Sequence, residues 1–419
     1  LTQWIYGVTS VAFIETAPVS IDRYLIIVLI VLGLLVVTRR SLGWSQFVTK
    51  NWALCFYLLY TLSSSMWSDT PLTVFTQWHH MFLQLLMVLV VYTEREPAKA
   101  IYALLRRCAY VVIPLSILCI KYYPGVGRTY DMWTGQVQLS GVMPDKNSLG
   151  ATCWVMGLVF LSALFAGPRG KRLTTGFDRY VALFFLAMIG WLVVKCDAST
   201  ALVAFIIGSA VILGLQSSTI WRHFTAFLIV GCFIGSMLLA FTDIKKDIIL
   251  GLGEDLTLTG RTELWADLQN ISINPVVGAG FESFWSGGRL KSLWRKYWWH
   301  PNQAHNGYFE MYLNLGIIGL IAIGLMILSC YAKARKRMLS AGPNAERTRS
   351  EEDGIAQFTL AFLLAYIAVN WTDASFRSTN FLFLIFVAVV LEYAPLSQEI
   401  VGRPSTYRVT ARKVLQVSS

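Results

Sequence analysis

Trp298-Trp299-His300-Pro301-Asn302-Gln303-Ala304-His305-Asn306-Gly307-Tyr308 runs straight into an apolar stretch over 309–320. A lone ionisable imidazole, His305, thus stands at the mouth of a candidate membrane helix behind a dense aromatic lead-in. At helical spacing Asn306, Glu310 and Asn314 share one face, and His305, Phe309 and Tyr312 another. A carboxylate and two amides entering a bilayer are costly unless they face a polar cavity, which points to a functional site. The competing reading is a capped helix end dressed with interfacial polar residues.

The rest of the chain has the same membrane character. Of 419 residues, 55% are hydrophobic and only 14% charged, against roughly 25% charged in soluble domains. Apolar runs long enough to cross hydrocarbon, or to do so by borrowing from their flanks, are expected near 4–20, 24–38, 52–66, 72–92, 101–120, 148–166, 180–196, 199–215, 224–241, 305–330, 356–371 and 379–394. The expected fold is therefore an all-α polytopic membrane protein of about 12 transmembrane helices. Basic clusters at Arg39 and Arg40, Arg106 and Arg107, Lys171 and Arg172, Arg222, Lys333–Arg337 and the tail all fall on one side when the spans alternate. That side is then cytoplasmic, as are both termini, and the net charge of +11 is mostly a topology signal. Nucleic-acid binding is excluded as its meaning, because the bases are scattered over short loops with no recognition motif.

Two outer segments remain, 121–147 and 242–304. Long loops of fixed chemistry usually do work. The expected division is helices one to nine within 1–241, including outer loop 121–147. A large outer loop over 242–304 follows, with an amphipathic helix near 260–273, then helices ten to twelve within 305–394 and a basic tail over 395–419. The seven cysteines lie in or beside apolar spans and read as small core residues rather than a disulfide framework. The chain begins at Leu1 rather than methionine, so a trimmed start is expected, with no separate cleavable signal peptide evident.

Within the second loop, Leu264, Leu268 and Ile271 make an apolar stripe on a helix opening at Arg261 and closed by Asn274-Pro275. An arginine at a helix N-terminus joins free backbone N–H groups to a forked cation and suits a phosphate or diphosphate. A solvated arginine in a cap is the plainer reading, and both stand. Glu263 either orients Arg261 or simply favours the helix start. Pro275-Val276-Val277-Gly278-Ala279-Gly280-Phe281 lacks the third glycine and the preceding strand of a dinucleotide site, and is expected to be a hinge packing the loop helix on the next element. The aromatic and basic run from Phe281 to Trp299 reads as an interfacial belt, or as rings that stack on sugars beside an anionic lipid head. In the first loop, Arg128 and Lys146 are the candidate anion ligands; Asn147 or Ser148 would cap the helix that follows. Lys195, Asp197, Ser199 and Thr200 form a polar outer turn able to line the same cavity. No paired His/Cys spacing and no outer Asp-x-Asp pair is present, so no metal or other cofactor is expected.

Leu258–Trp265, Asn274–Phe281 and His305–Glu310 through Gly319 together resemble the bacterial O-antigen ligase and polysaccharide polymerase superfamily. Ser65-Met66-Trp67-Ser68-Asp69-Thr70-Pro71 and Asp145-Lys146-Asn147-Ser148-Leu149-Gly150 resemble its exopolysaccharide-production branch. The resemblance implies about twelve helices, a periplasmic loop before the tenth, and metal-independent, inverting transfer from a glycan on undecaprenyl diphosphate. The acceptor is another glycan or the lipid A core, and the reaction takes place at the periplasmic face of the inner membrane. Chain-length regulator and export proteins are the expected partners beside the bilayer, with no nucleic acid. Arg261 matches the family's loop arginine and His305 the histidine opening the next helix, which makes these two the implied catalytic pair. Arg261, Arg128 and Lys146 would bind diphosphate, while Glu263, Asn306, Tyr308 and Glu310 would orient the site or line its cavity. Polymerase is the expected activity. Ligase, transferase onto protein hydroxyls and lipid-linked oligosaccharide flippase are the alternatives; polar groups gathered at the outer mouth favour surface chemistry over transport.

Overall fold

The computed structural model describes residues 21–40, 43–94, 97–131, 133–165, 176–217, 260–339 and 348–392. The expected spans near 4–20 and 224–241, most of the 242–304 loop's first third, and the basic tail lie outside these residues.

The described chain is mostly helical: α1 (Ile21–Arg39), α2 (Trp44–Lys50), α3 (Trp52–Ser63), α4 (Pro71–Tyr92), α5 (Pro97–Tyr122) and a single turn, α6 (Pro124–Gly127). An antiparallel hairpin, β1 (Arg128–Tyr130) and β2 (Val137–Leu139), precedes α7 (Lys146–Phe165), α8 (Gly176–Lys195) and α9 (Ser199–Ser217). After them come α10 (Arg261–Asn270), α11 (Gly287–Lys296), α12 (Gly307–Leu339), α13 (Thr348–Thr372) and α14 (Phe381–Val390). Among the described residues six helices are long and apolar enough to cross a membrane, or seven if the bent pair from Ile27 to Lys50 is one span. This is a multi-pass membrane protein. Its outer faces carry the side chains such a protein shows to lipid, including Leu32, Leu59, Val111, Phe184, Val194 and Ile206, all more than half exposed or close to it.

Helix α13 sits in the centre, packed on α7, α9 and α12. Trp154 of α7 stacks on Phe362 of α13 at 5.4 Å, and Phe362 stacks on Tyr366 at 5.2 Å. A second, smaller apolar cluster joins the loop helices to the head of α12: Leu264, Leu268, Phe284, Leu293, Phe309 and Leu313 are all buried together. The predicted stripe of α10 is the face that packs.

Helix α12 is not the single rod expected over 305–330. At Gly316 the backbone turns to φ 63°, ψ −160°, which a side chain would not tolerate, and the helix breaks. The segment 275–280 enters this break. Ile317 and Ile318 donate to the carbonyls of Pro275 and Val276 (3.0 and 3.2 Å), while Ala279 and Gly280 donate to those of Leu313 and Asn314 (3.0 and 2.8 Å). Polar backbone freed inside the bundle is thereby paired, as hydrocarbon requires. The approach needs bare backbone on both sides: a Cβ on Gly316 would lie 2.3 Å from Val276 O, and one on Gly278 2.5 Å from Asn314. The glycine turn read as a hinge is therefore a wedge. The Ser65–Pro71 motif and the residue before it clasp the wedge: Trp67 Nε1 donates to Val277 O (3.2 Å), Ser68 Oγ donates to Ser283 Oγ (2.9 Å), and Ser64 Oγ accepts from Phe281 N (2.9 Å).

Candidate active site

The wedge brings the 281–305 segment down onto α12 and fixes what precedes it. Trp285 Nε1 donates to Glu310 Oε1 (2.7 Å), Asn314 Nδ2 to the same oxygen (3.0 Å), and Ala304 N to Glu310 Oε2 (2.8 Å). Trp265 Nε1 holds the carbonyl of Ala304 (2.6 Å), and Asn306 Oδ1 caps α12 by accepting from Phe309 N (3.0 Å). Between these clamps His305 takes a left-handed backbone, φ 50°, and carries its half-buried imidazole into a cavity. A strained non-glycine residue held by its neighbours on both sides is a frequent mark of a working site.

That cavity, of about 1220 Å³, is lined at its mouth by Arg261, His305, Arg377, Asp373 and Lys146. Arg261 opens α10 behind Gly260 (φ 80°), and its Nη1 donates to Thr372 O at the C-terminus of α13 (3.3 Å). Arg377 Nη1 donates to Asn302 O (3.3 Å), while its Nε is buried with no hydrogen-bond partner among the described residues. An unsatisfied guanidinium donor buried at a cavity wall is costly, and an anion would relieve it. Burial, reinforced by the Arg261 and Arg377 charges, pushes the His305 imidazolium down to about 3, so the ring is neutral at pH 7. Burial also pushes the Asp373 carboxyl up, although Ser375 Oγ, Ala374 N and Arg261 pull the other way. Below the mouth the cavity turns apolar and descends between α4, α5, α7, α13 and α14 past Val88, Leu105, Val159, Phe358 and Ile385 to Tyr92 and Arg337 at the opposite face.

The structure gathers Arg261, His305 and Lys146 at this mouth, with Asp197, Ser199 and Thr200 of the polar turn beside them. It does not bring Arg128 there: the side chain is exposed, and its Nε donates to Ile120 O (3.0 Å) beside the hairpin. Glu263 is exposed in the first turn of α10 and lines no part of the cavity. Asn306, Tyr308 and Glu310 are buried behind His305 rather than on the cavity wall, and Tyr308 Oη donates to Ile367 O (2.8 Å). Their contribution is to orient the backbone. The cap of α7 is Asp145, not Asn147 or Ser148: its carboxylate accepts from Asn147 N and Ser148 N (both 2.9 Å) and from Ser148 Oγ (2.6 Å). Asp373 and Arg377 were not anticipated. They stand in the short turn between the last two spans, where two ionisable residues beside hydrocarbon were signal enough. Among the described residues no three His, Cys, Asp or Glu side chains gather as a metal centre would require.

Residues 183–324, which include Arg261 and His305, match the protein family described as O-antigen ligase. The exopolysaccharide production protein ExoQ of Rhizobium meliloti (strain 1021) is 24% identical over 277 residues, 64% of this chain and 62% of that protein. The chain thus covers less than two thirds of that relative's length. The stretch that carries α10, the wedge and the head of α12 is thus similar to the O-antigen ligase family, and the chain is similar to ExoQ over 64% of its length.

Proposed function

We propose that this protein is a glycosyltransferase of the bacterial inner membrane that polymerises a surface polysaccharide at the periplasmic face from repeat units on undecaprenyl diphosphate. One observation carries the reading: a single cavity joins a cationic mouth holding an imidazole to an apolar shaft through the bundle. A donor with a diphosphate between a sugar and a long hydrocarbon chain has that same order of chemistry. Arg261 and Arg377, with Lys146, would hold the diphosphate and stabilise the charge it gains as the anomeric C–O bond breaks. An acceptor hydroxyl oxygen forms the new bond from the opposite face of the anomeric carbon, which inverts it. The hydroxyl proton passes to the neutral His305 ring.

The low pKa of His305 makes it a weak base by itself, and its causes point to what the donor changes. Burial disfavours the imidazolium most, and two guanidinium groups add to it. A bound diphosphate offsets both charges, so the imidazole gains basicity when the donor is present. The arginines do the charge neutralisation for which a divalent ion is often used, and the reaction is expected to run in EDTA.

The ligase reading, transfer of finished polymer to lipid A core, uses the same chemistry and is favoured by the description of the matching family. Protein in lipid nanodiscs with undecaprenyl diphosphate-linked repeat units separates the readings. Growth of glycan beyond one unit in EDTA is the expected result. Growth only on added lipid A core would make it a ligase, and translocation with unchanged length would overturn both.

A further inference from the structure

Most of the aromatic side chains in the 281–299 run have structural duties. Phe281 and Phe284 are buried, Trp285 holds Glu310, Trp294 Nε1 donates to Pro301 O (2.9 Å), and buried Tyr297 donates to Asp267 Oδ2 (2.6 Å). Trp298 has none, and Trp299 packs only part of its ring, against Tyr297 and the Leu264 cluster. They meet Trp133 from the β1–β2 hairpin, with ring centroids 4.8 and 6.0 Å apart. None of these three indole N–H groups reaches an acceptor among the described residues, and Trp133 and Trp298 are 41% and 64% exposed.

Their position argues against a lipid belt. Trp133 and Tyr130 line the same cavity as Arg261 and His305. The Trp299 ring lies 6.5 Å from the His305 ring, and Trp133 and Trp299 both stand beside Gly260, the residue that caps the arginine helix. The hairpin is stiffened to present its indole: Asp131 accepts from Trp133 N, Thr134 N, Thr134 Oγ1 and Gln138 Nε2 at 2.6–3.1 Å. The bonds from Thr134 and Trp133, with the Lys146 charge, hold the Asp131 carboxyl below the usual range against its burial and leave it charged, acceptor-only, at neutral pH.

We propose that Trp133, Trp298 and Trp299 form a glycan subsite that stacks pyranose rings beside the diphosphate pocket. Flat apolar faces with unused N–H donors match a pyranose, whose C–H face is apolar and whose rim is hydroxylated. The subsite deepens the proposed transferase reading by naming where the sugar chain lies as it meets Arg261 and His305.

The test uses the whole protein in nanodiscs and two probes: the repeat-unit oligosaccharide released from its lipid by mild acid, and undecaprenyl diphosphate bearing no sugar. Tryptophan fluorescence reads binding of the first, and competition reads the second. Trp133→Ala should weaken the free oligosaccharide about tenfold, leave the sugarless lipid unchanged, and raise KM for the linked donor or acceptor with little loss in kcat. Trp133→Phe should recover most of the affinity, which a merely structural role would not predict. Equal oligosaccharide affinity in wild type and Trp133→Ala would overturn the subsite even if the wild type polymerises. Oligosaccharide binding that depends on Trp133 in a protein that transfers nothing would keep the subsite and remove the transferase.

Discussion

The two segments that flank the cavity mouth are built in different ways. The 128–147 segment folds on itself: its turn is closed by one aspartate, and its neighbours bond mainly within the segment. The 260–305 segment is tied into the bundle by backbone bonds across the break in α12 and by Glu310 and Asn314 behind it. The first supplies an exposed aromatic ring, while the second supplies the arginine and the histidine. Groups that must meet developing charge within a fraction of an ångström belong on the segment anchored to the core. A ring that stacks on a sugar tolerates a locally stiffened hairpin.

That contrast is broken most severely at the anchored segment. His305→Ala should lower kcat by about 10²–10⁴-fold, and Arg261→Ala by about 10²–10³-fold, in an assay of glycan length. Arg261→Lys should recover little, because charge returns without the fork. Wild-type yield from His305→Ala would remove the imidazole from the chemistry. Next in size is Gly316→Ala, which places a methyl group on Val276 O and forces a strained φ. The expected loss is about 2–5 kcal/mol, read as a fall in melting temperature with a parallel loss of activity. An unchanged melting temperature would mean the wedge is not tightly seated.

Proton linkage sharpens the comparison more gently. His305 must be neutral to accept a proton, and in the free site it titrates near 3. The acid limb of kcat/KM should therefore lie near that value, leaving this profile flat from neutrality down to about pH 5. Bound diphosphate raises the imidazole pKa, so the acid limb of kcat should sit higher, by roughly one unit or more. Coincident limbs would show that the arginine charges are not offset by the donor.

Much of this arrangement was legible before the fold. The apolar runs at 72–92, 101–120 and 148–166 carry their own evidence in length and hydropathy, and the stripe Leu264, Leu268 is periodic within one helix. His305 and Arg261 stood out because each is an ionisable group at a helix entrance. Gly316 did not, because a glycine in an apolar run reads as tolerated until its partner, Val276, is known to approach it. Arg128, in the other outer loop, stood beside Arg261 as a candidate diphosphate ligand on the correspondence of its loop alone. What separates them is tertiary: the hairpin turns Arg128 towards Ile120, while α10 turns Arg261 towards the end of α13. Arg377 and Asp373 sit in the short connection between the last two spans, and a turn of that length can only place its charges at the bilayer surface.

The central claim is that Arg261 and Arg377, and not Arg128, hold a diphosphate beside His305. The direct measurement is the affinity of the whole protein in nanodiscs for undecaprenyl diphosphate, with no sugar and with EDTA, across four alanine variants. Arg261→Ala and Arg377→Ala should each weaken binding about tenfold or more, while Arg128→Ala and His305→Ala stay within about twofold of wild type. Wild-type affinity in the first two, or a loss confined to Arg128→Ala, would contradict the account.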